Sequence, residues 1–188
     1  MGLINKHMES ASKKLDKDEV EVFVEKILKS KRVFLVGAGR SGLMAKAFAM
    51  RLMHLDRDVH VIGETITPSV REDDILIAVS GSGETTFVVS AAEMGKNIGV
   101  EVVGVTSYPD STLGKLANHI VVLPGRVETA EKKDYIDRQV SGEYESLTPM
   151  GTLFEQTALA FFDGVIACLM KKLGKKEIDL KEKHATIE

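Results

Sequence analysis

The sequence predicts an α/β fold, a three-layer α/β/α sandwich around a five-stranded and mostly parallel sheet. Five short runs rich in β-branched and other apolar residues alternate with longer segments of helical periodicity. Two of these runs end in glycine-rich loops that lead directly into a helical segment. This order is typical of strand–helix units that build a parallel sheet with helices on both faces.

The predicted strands are continuous apolar runs, which suit strands that are covered on both faces. They are expected at residues 32–37, 59–63, 74–80, 100–107 and 119–124. Only about eleven residues separate the second strand from the third, and a parallel crossover usually needs a dozen or more. The connection between these two strands is therefore the least regular part of the predicted sheet.

The helices are predicted from apolar residues at helical spacing and from their capping residues. Asp16 with Glu19 three residues later forms a capping pair for a helix that ends near Ser30. The remaining helices are expected at 41–55, at 85–97 before Gly99, after a cap at Ser111, and from Thr148 and Pro149 to Leu173. In the first of these, Met44, Met50 and Met53 are expected in the core.

The last helix, with the sequence "LFEQTALAFFDGVIACLM", is apolar nearly all round. A helix of this kind must be covered on two sides, and one sheet covers only one of them, so we expect a subunit interface and a homo-oligomer. The charged stretch 125–148 is expected to be a surface excursion, a lid or a hinge. The length predicts one domain, 1–188, whose N-terminal helices (about 3–30) and C-terminal helix and tail (about 149–188) pack on it and on neighbouring subunits.

The composition is that of a soluble globular protein: 44% hydrophobic residues, 28% charged residues and a formal net charge of −3. This balance argues against nucleic acid as a partner. Cys168 is the only cysteine, which excludes an internal disulfide and a cysteine cluster for zinc and fits a reducing cytoplasm. The polar N-terminus does not resemble a signal peptide, and no segment reaches the roughly 20 uninterrupted apolar residues of a membrane span.

Two glycine-rich loops, "GAGRSG" (37–42) and "SGSGET" (80–85), follow the first and third strands. Ligands of open parallel sheets bind beyond the carboxyl ends of the strands, where both loops lie. Glycines let the backbone approach an anion, and helix N-termini present unpaired amide donors. Hydroxyl donors are added by Ser41, Ser80, Ser82 and Thr85, so the sequence predicts a phosphate site.

Two alternatives explain the loops differently. "GAGRSG" matches the dinucleotide fingerprint, with Glu64 after the second strand as the ribose-binding acid. A dinucleotide protein would leave the serine loop without a role, and the chain is short for an added catalytic domain. Ordinary structural turns with serine caps would account for either loop alone, but less readily for two at one edge of a sheet.

The segments "VFLVGAGRSG", "VSGSGETT" and "GTLFEQ" resemble the sugar isomerase (SIS) domain, in which the serine-rich loop after the third strand binds a sugar phosphate. Within that family, "GAGRSGLMAKAFAMRLMHL", "VIGETITP" and "KHATIE" resemble the 6-phospho-3-hexuloisomerases over nearly the whole chain. The resemblance implies a flavodoxin-like sheet and a cytoplasmic isomerase. Its reaction would interconvert D-arabino-hex-3-ulose 6-phosphate and fructose 6-phosphate in the ribulose monophosphate route, which handles formaldehyde or supplies pentoses.

The resemblance implies phosphate ligands in both loops: Ser80, Ser82 and Thr85, with Ser41 from the first loop. Arg40 is a further candidate, because a guanidinium holds phosphate oxygens in a forked geometry. The alternative for Arg40 is a solvated side chain near a strand end. Other SIS aldose–ketose isomerases, and sensors that bind a sugar phosphate without catalysis, remain open as alternative functions.

Moving a ketone from C3 to C2 requires a proton to leave one carbon and return to its neighbour through an enediol. One carboxylate can perform both transfers, and no metal or redox cofactor is required. Glu155 is the candidate, because apolar residues flank it in "GTLFEQTALAFF" and the family pattern places its base at the matching glutamate. The alternative is that Glu155 is an ordinary carboxylate at a helix N-terminus, where the helix dipole stabilises a negative charge.

A second proton carrier is expected for ring opening, and His184 in "KEKHATIE" is the candidate. A neighbouring subunit completes the site in some SIS isomerases, and the family ending usually reads Arg-His-Ala-Asn. This chain has Lys183 and Thr186 at the outer positions of that pattern. A frayed terminal histidine is the alternative. His54 is the second choice for this role, because it lies at the end of a helix, where it can instead bond the free backbone carbonyl groups.

Overall fold

A computed structural model of the protein describes residues 1–125 and 151–186. The predicted surface excursion or lid lies, apart from Gly125, outside the described residues. Thr148 and Pro149 also lie outside them.

The sheet has five strands, all parallel, in the order β2-β1-β3-β4-β5. The strands are β1 (Val33–Gly37), β2 (Val59–Val61), β3 (Ile75–Val79), β4 (Glu101–Thr106) and β5 (His119–Val122). Every strand falls inside the segment predicted for it. The β-branched runs at β1, β3 and β4 are almost wholly buried because helices cover both faces of the sheet.

The described helices are α1 (Gly2–Lys14), α2 (Lys17–Lys29), α3 (Gly39–His54), α4 (Thr86–Ile98), α5 (Thr112–Leu116), α6 (Thr152–Leu173) and α7 (Glu177–Glu182). The predicted caps at Asp16 and Gly99 hold: Asp16 accepts hydrogen bonds from two backbone N–H groups of α2, and Gly99 ends α4 in the left-handed conformation. The Glu19 carboxylate does not complete the capping pair but accepts from the Val122 N–H at 3.3 Å. One core cluster joins α2, α3 and α6 to the sheet, and a second joins α4 and α5 to its other face. The predicted α/β/α sandwich is confirmed.

Aromatic stacking joins the three helices of the larger cluster. The ring centroids of Phe48 and Phe162 are 4.4 Å apart, those of Phe23 and Phe161 are 5.8 Å apart, and those of Phe23 and Phe48 are 6.4 Å apart. All four rings are buried, so α6 is held firmly against α2 and α3. This packing fixes where the first turn of α6 lies at the carboxyl edge of the sheet.

Two expectations for the helices need correction. Helix α6 begins at Thr152 in the described part of the chain, because its N-cap residue Gly151 has a left-handed φ of 85°. Met50 and Met53 are exposed and not in the core, because they lie on the outer face of α3. As predicted, the connection between β2 and β3, residues 62–74, is irregular, and it contains no helix.

Helix α6 is long and apolar enough to span a membrane by length and composition, but 56% of its most apolar window is buried inside the protein, as in a core helix. Its buried face packs on α1, α2 and α3. The opposite, exposed face carries small and polar residues: Gln156, Ala160, Asp163, Gly164, Ala167 and Cys168. Cover of this face by a second subunit stays a prediction.

A bidentate ion pair fixes the helix-free connection at the amino edge of the sheet. Arg32 donates from Nε to Asp74 Oδ1 at 2.9 Å and from Nη2 to Oδ2 at 2.7 Å, and the backbone N–H of Arg71 donates to Oδ2 at 2.7 Å. The Asp74 side chain is fully buried, and its hydrogen bonds raise the pKa of Arg32. The pair therefore links the start of β1 to the start of β3.

Replacing Asp74→Ala is expected to lower the free energy of unfolding by about 3 kcal/mol, because it leaves the Arg32 guanidinium without its buried partner. Urea unfolding followed by circular dichroism measures this change. The control is Asp73→Ala, which removes only an exposed ion pair with Lys31 and should change stability little. Equal losses in the two variants would contradict the proposed role of the buried pair.

Candidate active site

The two glycine loops leave neighbouring strands from paired positions. Gly37 at the end of β1 pairs with Val79 at the end of β3, and paired strands lie about 4.8 Å apart. The first loop folds back on itself, so that a Cβ on Gly37 would lie 2.9 Å from the Cα of Gly42. The sequence prediction that both loops meet at one edge of the sheet therefore holds.

The hydroxyl groups of the serine loop hold the loop in shape. Ser80 is buried; its Oγ lies 3.0 Å from Thr85 Oγ1 and accepts a hydrogen bond from the Gly83 N–H at 3.1 Å. Ser82 Oγ accepts from the Glu84 N–H at 3.2 Å. Thr85 is the N-cap residue of α4 but makes no side-chain cap bond. The loop thus ends at a helix N-terminus, as an anion site requires.

Helix α5 braces this loop from outside. The carboxylate of Glu84 accepts from the Thr112 N–H at 2.8 Å and from its hydroxyl at 2.7 Å. Gly83 has a φ of 70°, and a Cβ there would lie 1.9 Å from Ser111 Oγ. The one acidic side chain of the serine loop is therefore held by the start of α5.

The first turn of α6 packs against the serine loop. A Cβ on Gly81 would lie 2.9 Å from Cδ1 of Phe154, and one on Gly125 would lie 2.9 Å from Phe154 Cβ. These glycines leave room for the Phe154 ring beside the loop. The packing brings the next residue, Glu155, to the first turn of α3.

Glu155 and Arg40 form an ion pair between these two helices. Arg40 Nε donates to Glu155 Oε2; the side chain of Glu155 is 8% exposed, whereas that of Arg40 is 58% exposed. The carboxylate also lies against Gly151, where a Cβ would be 2.7 Å from Oε1. Ser41 follows Arg40 in the first turn of α3 and is half-buried. Of the predicted site residues, the structure thus brings Arg40 into contact with Glu155.

His184 is not part of this group within one chain. Its ring lies 5.5 Å from that of His54, at the far end of α3. Fourteen residues of helix separate Arg40 from His54, a distance of about 21 Å. His54 is buried with no hydrogen-bond partner for Nδ1 in the described part of the chain, and burial, then His184 and then Arg51 lower its pKa. A role for His184 in a neighbouring subunit's site stays a prediction.

The tail that carries His184 is tied to the end of α3 by Asp56. Lys175 Nζ and Lys183 Nζ each lie 2.9 Å from a carboxylate oxygen of Asp56, which has a φ of 60°. Hydrogen bonds first from Lys183 and then from Lys175 lower the pKa of Asp56 from 3.8 to about 2. The stabilisation from this group is complete above pH 3.8 and is lost as the pH falls toward 2.

Comparison with known proteins identifies the family. The model of the SIS domain matches residues 26–160, most of the chain. The chain belongs to the SIS domain family. A Bacillus subtilis protein named 3-hexulose-6-phosphate isomerase is 42% identical, over 93% of this chain and 89% of that protein. An uncharacterised Methanothermobacter thermautotrophicus protein is 49% identical, over 98% of this chain and 93% of its own length.

A solved structure of the SIS fold supports the same relationship. It comes from Methanococcus jannaschii, and a molecular function of 3-hexulose-6-phosphate isomerase has been inferred for it. It is 33% identical with a TM-score of 0.80, and the alignment covers 98% of this chain and 97% of that one. The predicted SIS family and the predicted likeness to 3-hexulose-6-phosphate isomerases are confirmed.

Sequence reasoning missed three parts of the SIS site. These are the packing of Phe154 on the serine loop, the position of Gly151 beside Glu155, and the hydrogen bonds of Glu84 with Thr112. The motif "GTLFEQ" contained a signal for Gly151 alone, because a glycine at a helix start leaves room for a nearby side chain, here the carboxylate of Glu155. In residues 1–125 and 151–186, no three His, Cys, Asp or Glu side chains form a metal site.

Replacing Lys183→Met is expected to raise the pKa of Asp56 from about 2 toward 3.8, because Lys183 is its stronger partner. Carbon-13 NMR of the aspartate carboxyl groups measures the shift. The control is Lys181→Met, since Lys181 pairs with Glu177 at 3.1 Å and not with Asp56. An unchanged Asp56 titration in Lys183→Met would show that the tail is not docked at this residue.

Proposed function

We propose that this SIS protein interconverts D-arabino-hex-3-ulose 6-phosphate and fructose 6-phosphate. The observation that carries the proposal is the buried Glu155 carboxylate, which lies at the point where both glycine loops meet the first turn of α6. The names of the relatives indicate the same reaction. The proposed setting is the cytoplasm and the ribulose monophosphate route, where the reaction would serve formaldehyde handling or pentose supply.

The substrate phosphate is proposed to bind the serine loop. Backbone N–H groups at the start of α4 and the hydroxyls of Ser82 and Thr85 would contact its oxygens, with Ser41 contributing from the first loop. Ser80 is buried and already bonded to Gly83 and Thr85, so its role is to shape the loop as well as to bind. The sugar carbons would then extend toward Glu155.

The reaction needs one proton to move between adjacent carbons. The Glu155 carboxylate would remove the C2 proton of the 3-ketose, and the electron pair of that bond would form the C2–C3 double bond of an enediol. The O3 oxygen would take up a proton and the C2 hydroxyl would lose one. Glu155 would return its proton to C3, leaving the C2 ketone of fructose 6-phosphate. The reaction is balanced without an oxidant or reductant.

A neighbouring subunit is proposed to complete the site. His184 would act on the ring oxygen of fructose 6-phosphate, whose ring closes in the forward reaction and opens in the reverse one, and it lies too far from Glu155 in its own chain to do so. The exposed face of α6 offers a contact surface for the homo-oligomer that this arrangement needs. Neither glycine loop contains a histidine that could take this role.

Replacing Glu155→Gln is expected to lower kcat about 10³-fold, because the amide cannot accept the carbon-bound proton. Deuterium incorporation from D₂O into fructose 6-phosphate, followed by NMR, measures the proton transfer directly. Binding of fructose 6-phosphate should survive, as a rise in melting temperature shows.

The matched control is Glu93→Gln, the same chemical change at an exposed position of α4. A rate near that of the wild type in Glu155→Gln would contradict the base assignment. A protein that binds fructose 6-phosphate without exchanging its protons would be a sensor. A panel of keto- and aldose phosphates would identify a different aldose–ketose substrate.

Subunit mixing tests the role of His184. Chains with Glu155→Gln and chains with His184→Gln should each be inactive alone, but mixed oligomers should recover activity. If two subunits share each site, random pairing into dimers predicts that about a quarter of all sites are intact. Refolding the two variants together and measuring the rate performs the test. No recovery would show that His184 acts in its own chain or not at all.

A further inference from the structure

Arg40 occupies a position that helix formation does not explain. It lies in the first turn of α3, where the positive end of the helix dipole disfavours a cation. The first turn of α3 contains no acidic residue that could compensate it. Its ion-pair partner is Glu155, 115 residues later in the chain. The position of this cation is therefore explained by an anion outside its own helix.

Among the charged side chains of the two loops, only Arg40 can attract an incoming phosphate. Neither loop contains a lysine, and Arg40 is the only arginine in the two. The carboxylate of Glu84 is engaged by Thr112. A phosphate dianion on the serine loop would therefore be attracted to the same guanidinium that holds Glu155.

The two partners differ in their freedom to move. Glu155 is 8% exposed and is confined by Gly151 and by the packing of Phe154, whereas the Arg40 side chain is 58% exposed. Competition between phosphate and carboxylate would accordingly be resolved by movement of Arg40. The carboxylate would stay in place.

We infer that Arg40 is a positioning residue that holds Glu155 in the empty site and transfers to the substrate phosphate on binding. This inference rests on the proposed isomerase function. A carboxylate held by a guanidinium accepts a carbon-bound proton poorly, because protonation would leave the cation without its partner. Transfer of Arg40 to the phosphate frees the carboxylate, so the base becomes active only when a phosphorylated sugar is bound.

The test separates the phosphate from the sugar. D-Fructose is incubated in D₂O with and without phosphite dianion, and deuterium incorporation beside the carbonyl is followed by NMR. In the wild type, phosphite should accelerate exchange at least about tenfold, within the usual range of coupling between two sites. In Arg40→Gln, exchange without phosphite should rise, and the acceleration by phosphite should fall below about twofold.

The matched control is Lys46→Gln, which removes a cation from the same helix that pairs with Glu64 at 2.5 Å. Its acceleration by phosphite should equal that of the wild type. Arg40→Lys should recover part of the acceleration, because an ammonium group keeps the charge but not the forked geometry. Thermal unfolding confirms that the variants are folded, as expected for a side chain that is largely exposed.

Two results would overturn the inference: an Arg40→Gln variant that keeps the wild-type acceleration, or a wild type that exchanges fructose 6-phosphate but shows no acceleration of fructose by phosphite. Either result leaves the isomerase proposal intact as long as Glu155→Gln abolishes exchange of fructose 6-phosphate. Loss of that dependence on Glu155 would instead remove the proposed function itself.

Discussion

The candidate site depends on the close packing of the first turn of α6 against the serine loop. Phe154 fits beside the loop because residue 81 has no side chain, and the aromatic stack of α2, α3 and α6 holds the helix there. If α6 shifted along its axis, Glu155 would leave the first turn of α3, and the two loops would face an apolar helix end. The geometry of the chemistry is thus set by a van der Waals contact at a glycine.

The polar groups around this contact divide into two kinds. The hydroxyl and carboxylate of Ser80 and Glu84 hold the loop in shape through bonds within the protein. Ser82, Thr85 and Arg40 remain partly or largely exposed at the edge of the sheet. Residues bonded within the protein therefore support others that are accessible to a ligand, which limits the conformational entropy lost on binding.

Much of the fold and part of the site could be predicted from the sequence, for identifiable physical reasons. The strands are recognisable because a covered strand must be apolar on both faces, and the loops because only glycine permits their close turns. Their meeting point follows from parallel topology. The ion pair of Arg40 with Glu155 could not be predicted, because a contact between residues 115 positions apart depends on the tertiary packing of α6.

Other features were hidden for similar reasons. The exposed side of α3 carries Met50 and Met53, and local spacing does not show which apolar residues a helix turns outward. The start of α6 depends on the left-handed φ of Gly151, and the docking of the tail depends on Asp56, whose two lysine partners are more than a hundred residues away. In each case the information lies in contacts between distant segments.

The Arg32–Asp74 pair and the glycine loops lie at opposite ends of the same strands. Strand register is thereby secured at one end, while the proposed ligand site lies at the other. Substitutions near the loops would accordingly alter that site without loosening the sheet. Because the stabilising ion pair and the loops are separate, the loops can change in sequence during evolution without destabilising the fold.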